Sequence, residues 1–149
     1  MLVKFAVTNY RGFSERIEWD LSRPSNYSFN EYAIKDGVIK NGIVYGSNGS
    51  GKSNLSFALF DIVNHLSQKM KMADYYVNFA YAGHQDSPVT FEYTFKFNNQ
   101  LLEYIYSKRP NGTLITEKVS VDHQQVFERN ESALSIDEEQ FPMESSMKV

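Results

Sequence analysis

The octapeptide at residues 46–53, GSNGSGKS, constrains this chain more than any other feature. It matches the phosphate-binding pattern G-x-x-x-x-G-K-[ST] at each fixed position. Glycines let the backbone curl with its amide hydrogens pointing inward, Lys52 adds a mobile cation, and Ser53 adds a hydroxyl that suits Mg²⁺. The motif therefore predicts a loop that holds the phosphates of a nucleotide, with these contact residues: Gly46, Ser47, Asn48, Gly49, Ser50, Gly51, Lys52 and Ser53.

The residues on both sides of this loop have the periodicity that the motif requires. Residues 38–45 carry β-branched and aromatic side chains, which predicts a short buried strand that enters the loop. After the loop, apolar residues recur at three- and four-residue intervals, which predicts a helix from Lys52 to about Lys71. A loop between a strand and a helix favours nucleotide binding over a serine- and glycine-rich turn that binds nothing.

The second half of the chain shows a different pattern. Apolar and polar residues alternate over residues 89–97, and two further runs follow at 102–106 and 113–121, separated by Asn- and Gly-containing turns. This alternation predicts an antiparallel meander with one buried face. Near the N-terminus, residues 2–8 and 15–21 also alternate and predict two strands.

Composition and charge exclude several classes of protein. The chain has no cysteine, which rules out a disulfide scaffold and a cysteine-based zinc or redox site. No apolar run approaches the about 20 residues that span a bilayer, and no signal peptide is evident, so we expect a soluble, cytoplasmic protein with no membrane contact. Residues 122–149 hold seven acidic and two basic side chains, whereas the rest is nearly neutral, so direct DNA binding has no support from charge.

Three further features lie outside the loop: a weak motif, an acidic C-terminal segment and the histidines. Residues 136–138, Ile-Asp-Glu, faintly resemble a Walker B sequence, but the preceding residues are too polar for the buried strand that such a sequence follows. We expect residues 130–149 to be an acidic tail, or the start of another element, that is poorly ordered. The histidines have no metal-ligand spacing and are expected at the surface: His65, His84 and His123.

Three stretches carry a resemblance to a known family. Residues 2–13, LVKFAVTNYRGF, are similar to an apolar strand followed by N-[FY]-R-[GS]-F; residues 46–54 contain Asn48 and Asn54 at the family's positions; and residues 88–129 resemble an inserted antiparallel sheet. Together they resemble the N-terminal part of a prokaryotic ABC-class ATPase of the SMC/RecF/OLD group, most nearly the predicted ATP-binding proteins of the AAA/OLD type.

This resemblance implies an α/β fold: the first lobe of a P-loop ATPase head over residues 1–129, with a mixed sheet, one main helix after the phosphate loop, and an antiparallel meander. It adds Arg11 and Asn54 to the nucleotide-binding residues and implies ATP and Mg²⁺ as ligands, with Ser53 on the metal. It also implies two partners, the remaining lobe of the parent ATPase and a second head, with DNA contacted only indirectly.

The family's catalytic parts are not found here. The sequence shows no LSGG-like signature, no switch histidine and no nuclease segment, and Gln85 is the one weak candidate for a Mg²⁺-contacting glutamine. The resemblance thus implies a fragment that supplies no catalytic residue, whose parent hydrolyses ATP in a DNA-related or phage-defence process. Two alternatives stay open: a nucleotide-dependent interaction switch without turnover, and a P-loop kinase, which the predicted meander disfavours.

Overall fold

The computed structural model describes residues 1–25, 30–67, 73–137 and 139. Nine strands, one α-helix and two short 3-10 helices make up this part of the chain. The strands are β1 (Leu2–Thr8), β2 (Ile17–Asp20), β3 (Ile34–Lys35), β4 (Val38–Ile39), β5 (Val89–Phe97), β6 (Gln100–Lys108), β7 (Leu114–Val121), β8 (Gln124–Asn130) and β9 (Leu134–Ile136). The α-helix is α1 (Lys52–Ser67), and the 3-10 helices are Glu31–Ala33 and Ala73–Tyr76.

Seven strands form one sheet in the order β2-β1-β5-β6-β7-β8-β9, and every neighbouring pair in it is antiparallel. The predicted α/β fold of a P-loop ATPase head with a mixed sheet is therefore wrong. Within the described residues the architecture is mostly antiparallel β with a single α-helix, which lies in the connection between β2 and β5.

The alternating pattern of the meander places its aromatic residues on one face. Phe91 and Tyr93 are buried on β5, and Tyr104 and Tyr106 are buried beside them on β6, while Thr90, Glu92 and Thr94 lie on the other face. Val7 on β1 extends the same core toward the N-terminal hairpin. The helix α1 packs across this face through Ala58 and its neighbours, so the sheet and helix share one core.

The strand predicted at residues 38–45 does not form. Only Val38–Ile39 is a strand, and it pairs with Ile34–Lys35 and not with the main sheet. Ile43 and Tyr45 are each 90% exposed, and residues 40–51 have neither helix nor strand. Asn41 and Gly42 interrupt the apolar run, and among the described residues no other strand hydrogen-bonds with this segment, so its β-forming side chains have no sheet to join.

The C-terminal residues and helix α1 bear on further predictions. Residues Leu134–Ile136 form the edge strand β9 beside β8, whereas residues 138 and 140–149 of the expected tail lie outside the described part of the chain. The helix α1 begins at Lys52, as the periodicity predicts, and is described to Ser67. No helix in the described residues has the length and apolarity needed to cross a membrane.

Candidate functional site: the glycine-rich loop at the start of the helix

The glycine-rich loop runs directly into the N-terminus of α1. Gly49 and Gly51 have φ angles of +80° and +90°, a left-handed conformation that other residues adopt only with strain. A Cβ at Gly51 would lie 3.1 Å from the Phe13 ring, whereas a Cβ at Gly49 would meet nothing within 4 Å. Gly51 thus allows the loop to pack against the N-terminal turn, and Gly49 allows the backbone to curve over open space.

Lys52 folds back across this loop. Its ammonium group donates hydrogen bonds to the carbonyl oxygens of Gly46 (2.8 Å) and Ser47 (2.7 Å), with a longer contact to the Ser50 hydroxyl (3.4 Å). Lys52 is the single charged residue between positions 46 and 54, so the loop carries a net positive charge. The cation is therefore held over the concave side of the loop, where an anion would meet it.

Backbone amides complete the donor set. The first N–H groups of a helix have no partner within the helix, and the helix dipole adds partial positive charge at that end. The Leu55 amide bonds to the Gly51 carbonyl, while the structure gives no acceptor for the amides of Lys52, Ser53 and Asn54 among the described residues. Lys52, Ser53 and Asn54 are among the residues 48–54 that line a concavity of about 400 Å³, and unpaired amides at a helix start suit phosphate oxygens.

The cradle therefore fits a Mg²⁺-nucleotide by its donor chemistry. Amides and an ammonium group are suited to phosphate oxygens, and the exposed Ser53 hydroxyl is suited to Mg²⁺. Of the nine predicted residues from Gly46 to Asn54, the seven from Asn48 to Asn54 line this concavity, whereas Gly46 and Ser47 accept hydrogen bonds from Lys52. Within the described residues, no cluster of three or more acidic, histidine or cysteine side chains offers an alternative metal site.

The N-terminal turn at residues 9–13 lies against this loop. Tyr10 and Phe13 form an isolated β-bridge, and a Cβ at Gly12 would come within 3.0 Å of the Asn54 side-chain nitrogen. Asn9 connects this turn to the segment before β5, because its side-chain amide donates hydrogen bonds to the carbonyl oxygens of His84 and Ser87. The residues alone predict only a turn here, and its contact with the loop follows from the tertiary structure.

Arg11 extends from this turn toward the side of α1. Its Nε donates to the Tyr10 hydroxyl (3.1 Å), and its guanidinium carbon lies 5.0 Å from the centre of the Phe57 ring. The structure gives no ion pair for Arg11 within the described part of the chain. Arg11 contacts α1 at Phe57 and not the glycine-rich loop itself, so it lies one helical turn beyond the cradle.

A buried polar seam fixes α1 on the sheet. The Asp61 carboxylate is fully buried and accepts hydrogen bonds from Tyr75 (2.8 Å), Tyr106 (2.8 Å) and the Lys108 ammonium (2.7 Å). Desolvation, reinforced by the nearby Asp61 charge, raises the pKa of Tyr75 and of Tyr106 far above the usual range. Both phenols therefore stay protonated as donors, and the helix that carries the cradle has one defined position.

His65 lies one turn beyond Asp61 on α1 and belongs to the same seam. The prediction that His65 lies at the surface is therefore wrong. Its ring stacks on Tyr106 and its Nε2 lies 3.2 Å from Glu117, which also accepts from Tyr104 and Arg129. Desolvation, together with the positive charge of Lys108, lowers the pKa of His65. Burial opposes ionisation of Glu117, but the hydrogen bond from Tyr104 and the charge of Arg129 outweigh it and lower the pKa.

The weaker predicted motifs do not join the site. Gln85 is exposed in the segment between Tyr81 and Val89, with no described contact to the loop. Of the Walker B-like residues, Ile136 belongs to the edge strand β9 and Asp137 follows it, whereas Glu138 lies outside the described residues. A buried strand is the setting that such a carboxylate needs, and β9 is exposed along most of its length.

Comparison with known proteins adds no assignment: no protein-family model matches the chain, and no curated protein sequence matches it.

Proposed function

We propose that residues 46–54 bind the triphosphate of a nucleotide together with Mg²⁺. The observation that carries this proposal is the position of Lys52, whose ammonium lies across a concave loop beside amides that have no acceptor. Phosphate oxygens would take up those amides and share the ammonium, which gives several charge-assisted hydrogen bonds at one site. The proposal concerns the loop and its ligand, and it does not depend on the α/β fold that the sheet topology excludes.

The exposed apolar residues near the loop support a partner for this part of the chain. Ile43 and Tyr45 precede the loop, and Phe60 and Val63 lie on the outer side of α1, all with more than half of their surface exposed. Exposed apolar side chains of this size support a contact with another protein segment. In keeping with the family resemblance, the proposed partners are the remaining lobe of a larger cytoplasmic ATPase and, through it, a second head, with DNA contacted only indirectly.

Hydrolysis is assigned to that larger protein and not to these residues. Stabilising the charge on a transferring phosphoryl group requires contacts from several sides and an oriented water molecule. Lys52 and Ser53 supply one side, and no carboxylate is among the residues that line the concavity. The larger protein would hydrolyse ATP in a DNA-related or phage-defence process, and a switch that binds ATP without turnover is the alternative. A carboxylate near the phosphate in the larger protein would favour hydrolysis.

Calorimetric titration of ATP with Mg²⁺ into the folded chain tests the proposed site. Lys52→Ala removes the ammonium, which the backbone amides cannot replace, and we expect the affinity to fall about tenfold or more. Lys40→Ala is the control, because it removes the same positive charge from an exposed lysine six residues before the loop. We expect it to bind ATP like the wild-type chain.

Circular dichroism melts of both variants should match the wild type, because neither side chain belongs to the core. Equal affinities of wild type and Lys52→Ala would contradict the proposed function. So would an equal loss in both lysine variants, since that result indicates attraction by net charge alone.

A further inference from the structure

Phe57 presents an aromatic ring to solvent beside the proposed phosphate cradle. It lies on the second turn of α1 and is 50% exposed. Asn54, which closes the cradle, precedes it by three residues, and residues at this spacing lie on the same face of a helix about 5–6 Å apart. An aromatic ring is thus displayed one turn from the place where the phosphates would end.

The Arg11 guanidinium group covers one side of this ring. Its carbon lies 5.0 Å from the Phe57 centroid, within the range of a cation–π contact. The guanidinium also lies 5.6 Å from the Tyr10 ring and donates to the Tyr10 hydroxyl. The Tyr75 carbonyl is a further, longer acceptor at 3.5 Å.

Tyr75 anchors this arrangement to the buried seam. Its hydroxyl donates to Asp61, which lies one turn further along the helix that carries Phe57. Arg11 is therefore held from two sides, by Tyr10 and by Tyr75, while its charge has no carboxylate partner in the described chain. A fixed guanidinium group with unused N–H donors, stacked on an exposed ring, offers the kind of flat surface on which a nucleobase stacks.

We propose that Phe57 and Arg11 form the wall against which the base of the bound nucleotide stacks, an inference that rests on the proposed phosphate site. The close approach of Gly12 to Asn54 brings the turn that carries Arg11 to the end of the cradle. A nucleoside extending from phosphates held at Asn54 passes this turn and reaches Phe57. The wall gives binding energy to a nucleotide and none to inorganic phosphate chains, which have no ring to stack.

The test compares two ligands, ATP and inorganic tripolyphosphate, each titrated with Mg²⁺ into the same set of folded variants. Phe57→Ala removes the wall, and we expect it to weaken ATP binding about tenfold, since base stacking on an aromatic side chain has about this effect. Tripolyphosphate binding should stay unchanged. Phe57→Tyr keeps the ring and should restore the ATP affinity.

Phe60→Ala is the matched control, because Phe60 is also an exposed phenylalanine on the same helix and the structure gives it no contact with Arg11. It should leave the affinity for both ligands unchanged. Unchanged ATP affinity in Phe57→Ala, or an equal loss for ATP and tripolyphosphate, would overturn the proposed wall while Lys52→Ala still supports the cradle. If Lys52→Ala binds both ligands as the wild type does, the cradle itself fails, and the wall fails with it.

Discussion

The two sides of helix α1 differ in how completely the described chain covers them. On the side that faces the sheet, Ala58 and Asp61 pack against the aromatic face of β5 and β6, and neither has any exposed surface. The opposite side displays Phe60, Val63 and Leu66 to solvent. Within the described helix, the only charged side chain after Lys52 is the buried Asp61. Apolar side chains on the outer side of a helix, in addition to those facing its sheet, are typical of a helix that is buried on both sides. Packing on the sheet therefore positions the helix that follows the loop, whereas its outer side is exposed within the described residues.

The largest effect that this comparison predicts comes from truncating one ring on each side. Phe91→Ala removes a fully buried ring from the sheet side, and we expect the free energy of unfolding to fall by about 3–5 kcal/mol. Phe60→Ala removes an exposed ring from the other side, and we expect a change within about 0.5 kcal/mol. Urea denaturation followed by circular dichroism measures both values.

Phe95 gives an intermediate case for the same measurement. It shares the aromatic face of β5 but is only partly buried, and its ring stacks on Tyr93. Its truncation should therefore cost less than that of Phe91. A loss for Phe60→Ala as large as that for Phe91→Ala would show that the outer side of α1 is covered in solution, and the comparison of the two sides would not hold.

The next effect concerns the buried ion pair on the sheet side. Asp61→Asn leaves the Lys108 ammonium buried without a counter-charge, and we expect a loss of about 3–5 kcal/mol in the free energy of unfolding. Glu131→Gln is the control, since it breaks the exposed pair with Arg109 and should cost no more than about 1 kcal/mol. Equal losses in the two variants would mean that water reaches Lys108 and that the seam is not dry.

Local patterns predicted the elements better than their arrangement. Alternation over residues 89–97 predicts β5 with Phe91 and Tyr93 on the buried face, and the helical period after Gly51 predicts the start of α1. Both signals are local, since a strand or helix shows its period within a few residues. The meander was predictable for the same reason, because Asn98-Asn99 and Asn111-Gly112 join consecutive strands by short turns.

The errors arise where the outcome depends on distant residues. Residues 38–45 have the composition of a buried strand, yet a strand needs a neighbour to pair with, and no sequence signal within the segment shows whether one exists. The prediction of a mixed sheet is wrong for the same reason, because strand pairing depends on residues far away in the sequence. His65 was expected at the surface, but its burial depends on Tyr106 and Glu117, which lie on strands 41 and 52 residues further along. For the site, the motif predicted the cradle residues, whereas the contact of Arg11 with Phe57 had no signal in the sequence.

The smallest expected effect is a pH dependence that separates a histidine in the seam from one at the surface. The pKa of His65 is lower in the folded chain than its usual value of about 6.5, because burial and the charge of Lys108 oppose its protonation. The unfolded chain therefore takes up a proton at higher pH than the folded chain does, so acidification favours unfolding. This contribution to stability is present above pH 6.5 and is lost as the pH falls through the folded pKa.

Thermal melts at a series of pH values from about 8 to 5 measure this loss. Above the titration range of Glu117, whose pKa is also lowered, the melting temperature should fall as the pH drops below about 6.5. In His65→Gln that fall should be reduced, because glutamine keeps a hydrogen-bonding group toward Glu117 but cannot take up a proton. His123→Gln is the control, because it makes the same replacement at an exposed histidine beside Glu103. If His123→Gln flattens the profile as much as His65→Gln does, the pH dependence arises at the surface, and His65 is not held in a dry seam.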